Sequence, residues 1–339
     1  MMTVSVVIPT FRRQRTLRDL LGSLERQVCD VTFEVIVVAN LPEAGLKKTV
    51  ESYGPRFRFQ ETGRLGVNIA RNKGLNLSRG AIVLFLDDDT YITDRDFIQK
   101  VAEAHARHPE ALAIGGAYTP KAAMSAAEEA YYWILEHRMT SVRLERDEAR
   151  LLASGNVSFK REFLETRHRF DDRVISGASE DALFARLRRE QNLLLIYDTL
   201  SVEHRSSVGL WDLMKKGFFQ GYVQKMTELD SQSVLERPHW NSVRPIEETI
   251  RSNHVEQTLS FRLALRLYRR FFKFGARMAA RDSILPEATT AIKPVAPKWP
   301  EFSLATAAQG LLSQHHARTL RHAISDVRQA LRSAFAQYE

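Results

Sequence analysis

The chain has 339 residues, 44% hydrophobic and 27% charged, a balance that supports a sizeable core and excludes wholesale disorder. Its formal net charge of +8 favours anionic partners, whether nucleic acid, an anionic membrane or a phosphorylated substrate. A single cysteine, Cys29, excludes an internal disulfide and suits a reducing compartment, and no apolar run approaches the ~18 residues of a membrane span.

Residues 3–8 already read as a core strand with no basic leader ahead of them, so the expected location is cytoplasmic. Val4-Ser5-Val6-Val7-Ile8 forms that strand, and Thr16 opens a helical pattern carrying Leu17, Leu20, Leu21 and Leu24. Glu34-Val35-Ile36-Val37-Val38 is a second strand and Phe57-Arg58-Phe59 a short third. Residues 66–78 read as a helix and 81–86 as a strand. Strands separated by helical stretches predict an α/β fold with a mostly parallel sheet flanked by helices.

From residue 111 the pattern mixes. Strands are predicted at 112–117, 157–160 and 193–197, with helices at 126–139 and 179–190. Cys29 is expected to be a buried thiol. Residues 236–248, with Pro238 and Pro245, read as a connector, and 257–281 as a helix. Pro286, Pro294, Pro297 and Pro300 mark an extended linker over 284–300. Leu320, Ile324, Val327, Leu331 and Phe335 then give one apolar helical stripe, open to packing on its own chain or on a second subunit. The expected organisation is two halves of one α/β domain, 1–110 and 111–235, followed by a helical C-terminal extension, 236–339.

The most informative motif is Asp87-Asp88-Asp89, directly after the apolar run 81–86. Such a run reads as a strand covered on both faces, and ligands of open α/β sheets gather at the carboxyl ends of strands. Adjacent carboxylates repel and call for a compensating cation. Mg²⁺ in such sites typically takes one or two carboxylates plus phosphate oxygens. The motif therefore points to a metal–diphosphate site. In the bland alternative the acids form a solvated turn or cap a helix.

Five segments in order resemble a family-2 glycosyltransferase of the GT-A fold, over about the first 205 residues. They are Val4 through Phe11, the Gly66-Val67-Asn68-Ile69-Ala70-Arg71-Asn72-Lys73-Gly74 segment, Leu86-Asp87-Asp88-Asp89 as the DXD element, Ser154-Gly155-Asn156-Val157-Ser158-Phe159, and Glu180-Asp181. The resemblance implies an inverting transfer of sugar from a nucleotide-diphosphate donor to a glycan or lipid-linked acceptor in surface polysaccharide or glycolipid synthesis. It implies Asp181 as general base, with Glu180 orienting the acceptor or its loop. Asp89 would ligate Mn²⁺ or Mg²⁺, with Asp87 and His204 as further ligands, Asp87 alternatively lying near the ribose or a metal-bound water. Pro9, Thr10, Phe11, Arg13, Gly66, Arg71, Asn72 and Asp88 would line the donor site, and Gly155 and Asn156 the acceptor side.

One position departs from the family. The second strand ends in Asn40 where relatives carry an aspartate that pairs with uracil. Asparagine both donates and accepts, so a UDP-sugar is the leading donor and other bases stay open. Trp211, Lys215 and Lys216 follow in a loop or helix and are assigned to the surface, the alternative being that they cover the diphosphate when the donor binds.

On a projection of about 100° per residue, Leu263, Leu267, Phe271, Phe274 and Met278 share one helical face. Arg262, Arg266, Arg269, Arg270, Lys273 and Arg277 flank it. That pattern fits an anionic membrane surface, or a helix packed on the catalytic body with its charges solvated. Nucleic acid is disfavoured because no binding module accompanies the charge. A sugar-phosphate nucleotidyltransferase is disfavoured because no glycine-rich loop follows the first strand. A non-catalytic glycan- or membrane-binding scaffold of the same fold remains the alternative outside enzymes.

Overall fold

A computed structural model describes residues 3–141, 148–149, 151–166, 169–170, 172, 183–184, 195–230 and 243–282. The linker 284–300 and the last predicted helix, 320–335, lie outside the described residues. The chain divides into two compact units, 1–291 and 292–339.

The first unit opens as alternating strands and helices: β1 (Val4–Thr10), α1 (Gln14–Glu25), β2 (Phe33–Asn40), α2 (Leu46–Glu51), β3 (Phe57–Thr62), α3 (Val67–Leu77) and β4 (Ile82–Leu86). β1, β2 and β4 are buried along their whole length, as their uninterrupted apolar runs require of strands covered on both faces. Next come β5 (Thr90–Tyr91), α4 (Phe97–Arg107), β6 (Ala113–Gly115), β7 (Tyr118–Pro120), α5 (Ala126–Ser141), β8 (Asn156–Lys160), α6 (Arg161–Thr166), β9 (Leu195–Tyr197) and β10 (Val202–His204).

The seven-stranded sheet has the order β3-β2-β1-β4-β8-β6-β9. β8 alone runs against its neighbours, so the sheet is mostly parallel. A second sheet, β5-β10-β7, was not foreseen from sequence because each strand is two or three residues long. The predicted strand 112–117 shrinks to β6. At Gly116 the backbone passes so close to the Leu200 carbonyl that a Cβ would lie 1.4 Å from its oxygen.

Three helices follow: α7 (Leu210–Asp230), α8 (Val243–Ser252) and α9 (Leu259–Asp282). The predicted connector 236–248 is corrected here, since its second half belongs to α8. Pro245 falls in the first turn, where a missing N–H costs no intrahelical bond.

The apolar stripe predicted for 257–281 is also corrected. Among the described positions of α9, Phe261, Ala264, Leu265, Tyr268 and Gly275 are buried, one helical face, whereas Leu263, Leu267, Phe271, Phe274 and Met278 are only half-buried. Each buried Leu or Phe side chain contributes about 2 kcal/mol. That face packs mainly on α7, and the Tyr268 hydroxyl donates to Gln220. A Cβ on Gly221 would meet the Phe272 carbonyl oxygen at 2.0 Å, and one on Gly275 the Phe218 oxygen at 2.0 Å. The two backbones therefore touch. Among the described residues no helix is long and apolar enough to cross a membrane. Cys29 is half-buried rather than buried.

Candidate active site

β4 ends at Leu86, and the turn after it sends three adjacent acids to three sets of partners. The Asp87 carbonyl accepts from the Thr90 amide at 3.1 Å and the Thr90 hydroxyl at 2.8 Å, which reverses the chain into β5. The Asp87 carboxylate lies 3.0 Å from the buried Arg71 guanidinium. α3 can deliver Arg71 because the helix lies flush on β1: a Cβ on Gly74 would sit 2.2 Å from Val7. Gly155 likewise leaves room for Asp87, since its Cβ would meet Oδ2 at 2.2 Å and the Tyr118 hydroxyl at 2.4 Å.

Asp88 accepts from the Thr10 hydroxyl at 2.7 Å, the Phe11 amide at 3.3 Å and Arg13 at 3.2 Å. The same Arg13 nitrogen donates to Asp89 at 2.6 Å. Asp88 and Asp89 are only 6% and 5% exposed, so neither acid belongs to a solvated turn. Burial and the neighbouring Asp89 charge push Asp88 up to about 7. Burial also acts to raise Asp89, but His204 and Arg13 outweigh it and hold that carboxyl well below the usual range. Negative charge in the pair is therefore centred on Asp89.

The small sheet brings the imidazole to this acid. β10 pairs antiparallel with β5, setting His204 opposite Thr90, and the Arg205 amide donates to the Asp89 carbonyl at 2.7 Å. His204 Nε2 then stands 3.5 Å from Asp89 Oδ1, with its ring against Tyr118 and Tyr131 at centroid distances of 4.8 and 6.1 Å. A cleft of about 330 Å³ opens beside Asp89, lined by Arg12, Arg13, Arg15, Thr16, Glu43 and Ser207 among others. Arg12 and Leu41, just beyond β1 and β2, both have left-handed φ of 52°, strain of the kind that clusters at ligand sites.

A divalent cation fits this corner in part. Asp89 and His204 offer one carboxylate and one imidazole. Among the described residues, no three His, Cys, Asp or Glu gather closely enough to bind a metal alone. That donor set suits a cation whose remaining ligands are phosphate oxygens and water. Asp87, expected as a second metal ligand, is engaged by Arg71.

The other expected residues divide into two groups. Pro9, Thr10, Phe11 and Arg13 form the end of β1 and the turn beside the acids, with Phe11 44% exposed. Asn40 ends β2 and accepts from the Thr62 hydroxyl at 2.8 Å, and Gly66 precedes α3 with φ of 147°. Two side chains serve the framework. Asn72 donates to the Phe170 carbonyl and to Asp172 at 2.9 and 2.6 Å, and Asn156 donates to the Ala117 and Leu200 carbonyls at 3.3 and 3.2 Å. Glu180 and Asp181 lie outside the described residues. Just beyond them Leu183 and Phe184 are buried, with Phe184 stacked on Phe159 of β8 at 6.0 Å.

Lys216 departs from its predicted place on the surface. Its ammonium lies 3.4 Å from the Tyr131 hydroxyl and 4.5 Å from the ring centroid. Burial works against its charge, yet Tyr131 and Asp89 hold its pKa above the usual lysine value. The sequence signal was its spacing, three residues after the buried Leu213 on one helix. Lys215, by contrast, pairs with Asp212 at 2.9 Å on the surface.

Residues 5–167 match the family model described as Glycosyl transferase family 2. The chain is 25% identical over 251 residues to a glucosyl-dolichyl phosphate glucuronosyltransferase of Haloferax volcanii, covering 67% of this chain and 78% of the relative. It is 32% identical over 119 residues to a poly(ribitol-phosphate) beta-N-acetylglucosaminyltransferase, TarS, of Staphylococcus aureus, covering 34% of this chain but only 21% of that protein. Among solved structures, the mannosyltransferase PcManGT of Pyrobaculum calidifontis, in complex with GDP-Man and Mn²⁺, shares the fold with a TM-score of 0.53 at 16% identity. That match covers 82% of this chain and 84% of the other. The chain is a glycosyltransferase with the GT-A fold.

Proposed function

We propose, from the membership of residues 5–167 in glycosyl transferase family 2, that this enzyme is a metal-dependent, inverting glycosyltransferase. It moves a sugar from a nucleoside-diphosphate donor to a glycan or lipid-linked acceptor. The observation that carries this reading is the buried Asp89, 3.5 Å from His204 at the tip of β4 and bridged to Arg13. Asp89 and His204 would hold Mn²⁺ or Mg²⁺, which when bound supplies Lewis-acid neutralisation of the departing diphosphate. Support for a divalent cation also comes from the Mn²⁺ bound by PcManGT.

The chain's own residues complete the site. The strained turn after β1 and the end of β2 receive the nucleoside, with Asn40 facing a uracil or another base by donating and accepting. Arg71 fixes Asp87 against Gly155, which sets the position of this carboxylate beside the acid turn. Asp181 takes the proton of the acceptor hydroxyl, a step worth ~10²–10⁴-fold, and Glu180 orients the acceptor or its loop. Leu183 and Phe184, which follow this pair in the chain, are buried. The test is transfer from a panel of UDP- and GDP-sugars in Mn²⁺ by wild type and Asp181→Asn. The variant should bind donor but neither transfer sugar to the acceptor nor release nucleoside diphosphate; full turnover by it would move the base elsewhere.

The acceptor reading includes a lipid surface. Arg262, Arg266, Arg270, Lys273 and Arg277 form one exposed cationic face of α9, opposite to the residues that pack on α7. This face suits peripheral binding to an anionic membrane, each cation contributing about 1 kcal/mol near the surface. Co-sedimentation with phosphatidylserine vesicles should fall sharply when Arg266, Arg270 and Lys273 become glutamine. Unchanged sedimentation would remove the membrane from the account.

A further inference from the structure

We propose that Lys216 is a fixed cation of the donor site that binds the diphosphate of the nucleotide sugar and stabilises it as it leaves. This rests on the donor site proposed above and adds to it a residue of α7.

The geometry runs through one tyrosine. Tyr131 of α5 lies against His204 at 6.1 Å, His204 stands 3.5 Å from Asp89, and the Lys216 ammonium sits over the same Tyr131 ring at 4.5 Å. Lys216 therefore approaches the Asp89 corner from α7, an element separate from the β1 turn that carries Arg13. The two cations differ in what holds them. The Arg13 nitrogen bridges Asp88 and Asp89. Among the described residues, no carboxylate lies within ion-pair distance of Lys216, and its hydrogen bond goes to the Tyr131 hydroxyl at 3.4 Å.

An ammonium has three donors, and the half-buried Lys216 uses one of them on the Tyr131 hydroxyl, which leaves two to meet an anion. The anion the donor site admits is the diphosphate. In the transfer, the bond between the anomeric carbon and the phosphate oxygen breaks, and its electron pair stays on that oxygen. The acceptor oxygen bonds the anomeric carbon as its proton passes to the base. The added negative charge appears on the diphosphate, where a fixed ammonium is worth more than in water. Tyr131 holds the ammonium in place by its hydroxyl and its ring face.

The test is calorimetric binding of UDP, GDP, UMP and GMP in Mn²⁺ to wild type, Lys216→Met and Lys216→Arg, with Asp89→Ala alongside. Lys216→Met should weaken the preferred diphosphate by about tenfold or more while its monophosphate changes little, and Lys216→Arg should recover most of the loss. If Lys216→Met fails to fold by circular dichroism, Lys216→Gln is read in its place. Equal loss for diphosphate and monophosphate, or wild-type diphosphate affinity in both neutral variants, overturns the assignment. If Asp89→Ala loses diphosphate while the Lys216 variants bind normally, Lys216 alone is excluded and the donor site stands. If wild type itself binds no nucleotide, the donor site and this inference fall together.

Discussion

Arg13 reaches Asp89 at 2.6 Å with the same nitrogen that touches Asp88, so a side chain of the β1 turn sits where a cation between Asp89 and phosphate would go. In this arrangement the guanidinium supplies the countercharge the buried acids require. Arg13→Gln should lower stability in EDTA by about 1–2 kcal/mol, a value below that of a fully buried pair because the Arg13 side chain is 45% exposed. Added Mn²⁺ should raise the melting temperature of the variant more than that of wild type. Equal melting temperatures in EDTA would show that Arg13 does not support the acids.

Gly155→Ala tests the packing around Asp87. The added methyl would overlap both the Asp87 carboxylate and the Tyr118 hydroxyl, so one must shift. Diphosphate-sugar binding should drop about tenfold or more, with the circular dichroism spectrum unchanged. Unaltered affinity would mean that the position of Asp87 is irrelevant to the donor.

The α7–α9 contact admits a similar test on stability. Gly221→Ala and Gly275→Ala each press a methyl against backbone of the opposite helix, and overpacking of this kind costs about 1–3 kcal/mol. Urea midpoints should fall accordingly. A wild-type midpoint in both would indicate that the helices separate freely.

Two buried histidines make stability depend on pH. Burial, with smaller effects of Lys160 and His108, holds His105 down to about 4, and burial does the same to His137. The unfolded chain protonates such imidazoles near 6.5, so between these values it binds more protons than the folded chain. The stabilisation is fully present above pH 6.5 and is lost as pH falls towards 4. Replacing His105 by Gln should make the fall in unfolding free energy between pH 7 and 4.5 smaller by about 2–3 kcal/mol. An identical pH slope in urea titrations would exclude His105 as its source.

The central strands and the acid turn were legible because long apolar runs leave few alternatives, and a carboxylate cluster at the end of one is conspicuous. β1, β2, α3 and β4 fall within a few residues of their predicted bounds. The small sheet was not, since two- and three-residue strands carry no periodicity, yet it is what brings His204 to Asp89. Lys216 differs from its expected place because charge at a helical position normally implies solvent; its spacing from Leu213 was the one sequence hint that it packs against Tyr131. The apolar face of α9 was offset because the stripe chosen followed large residues, whereas contact with α7 also uses Ala264 and Gly275.

The most direct measurement is calorimetric titration of wild type and Asp89→Ala with UDP and GDP, with and without Mn²⁺. Wild type should bind at least one diphosphate markedly more tightly in Mn²⁺, and Asp89→Ala should lose that metal-dependent gain. Equal, Mn²⁺-responsive affinity in the two proteins would contradict a cation held at the end of β4.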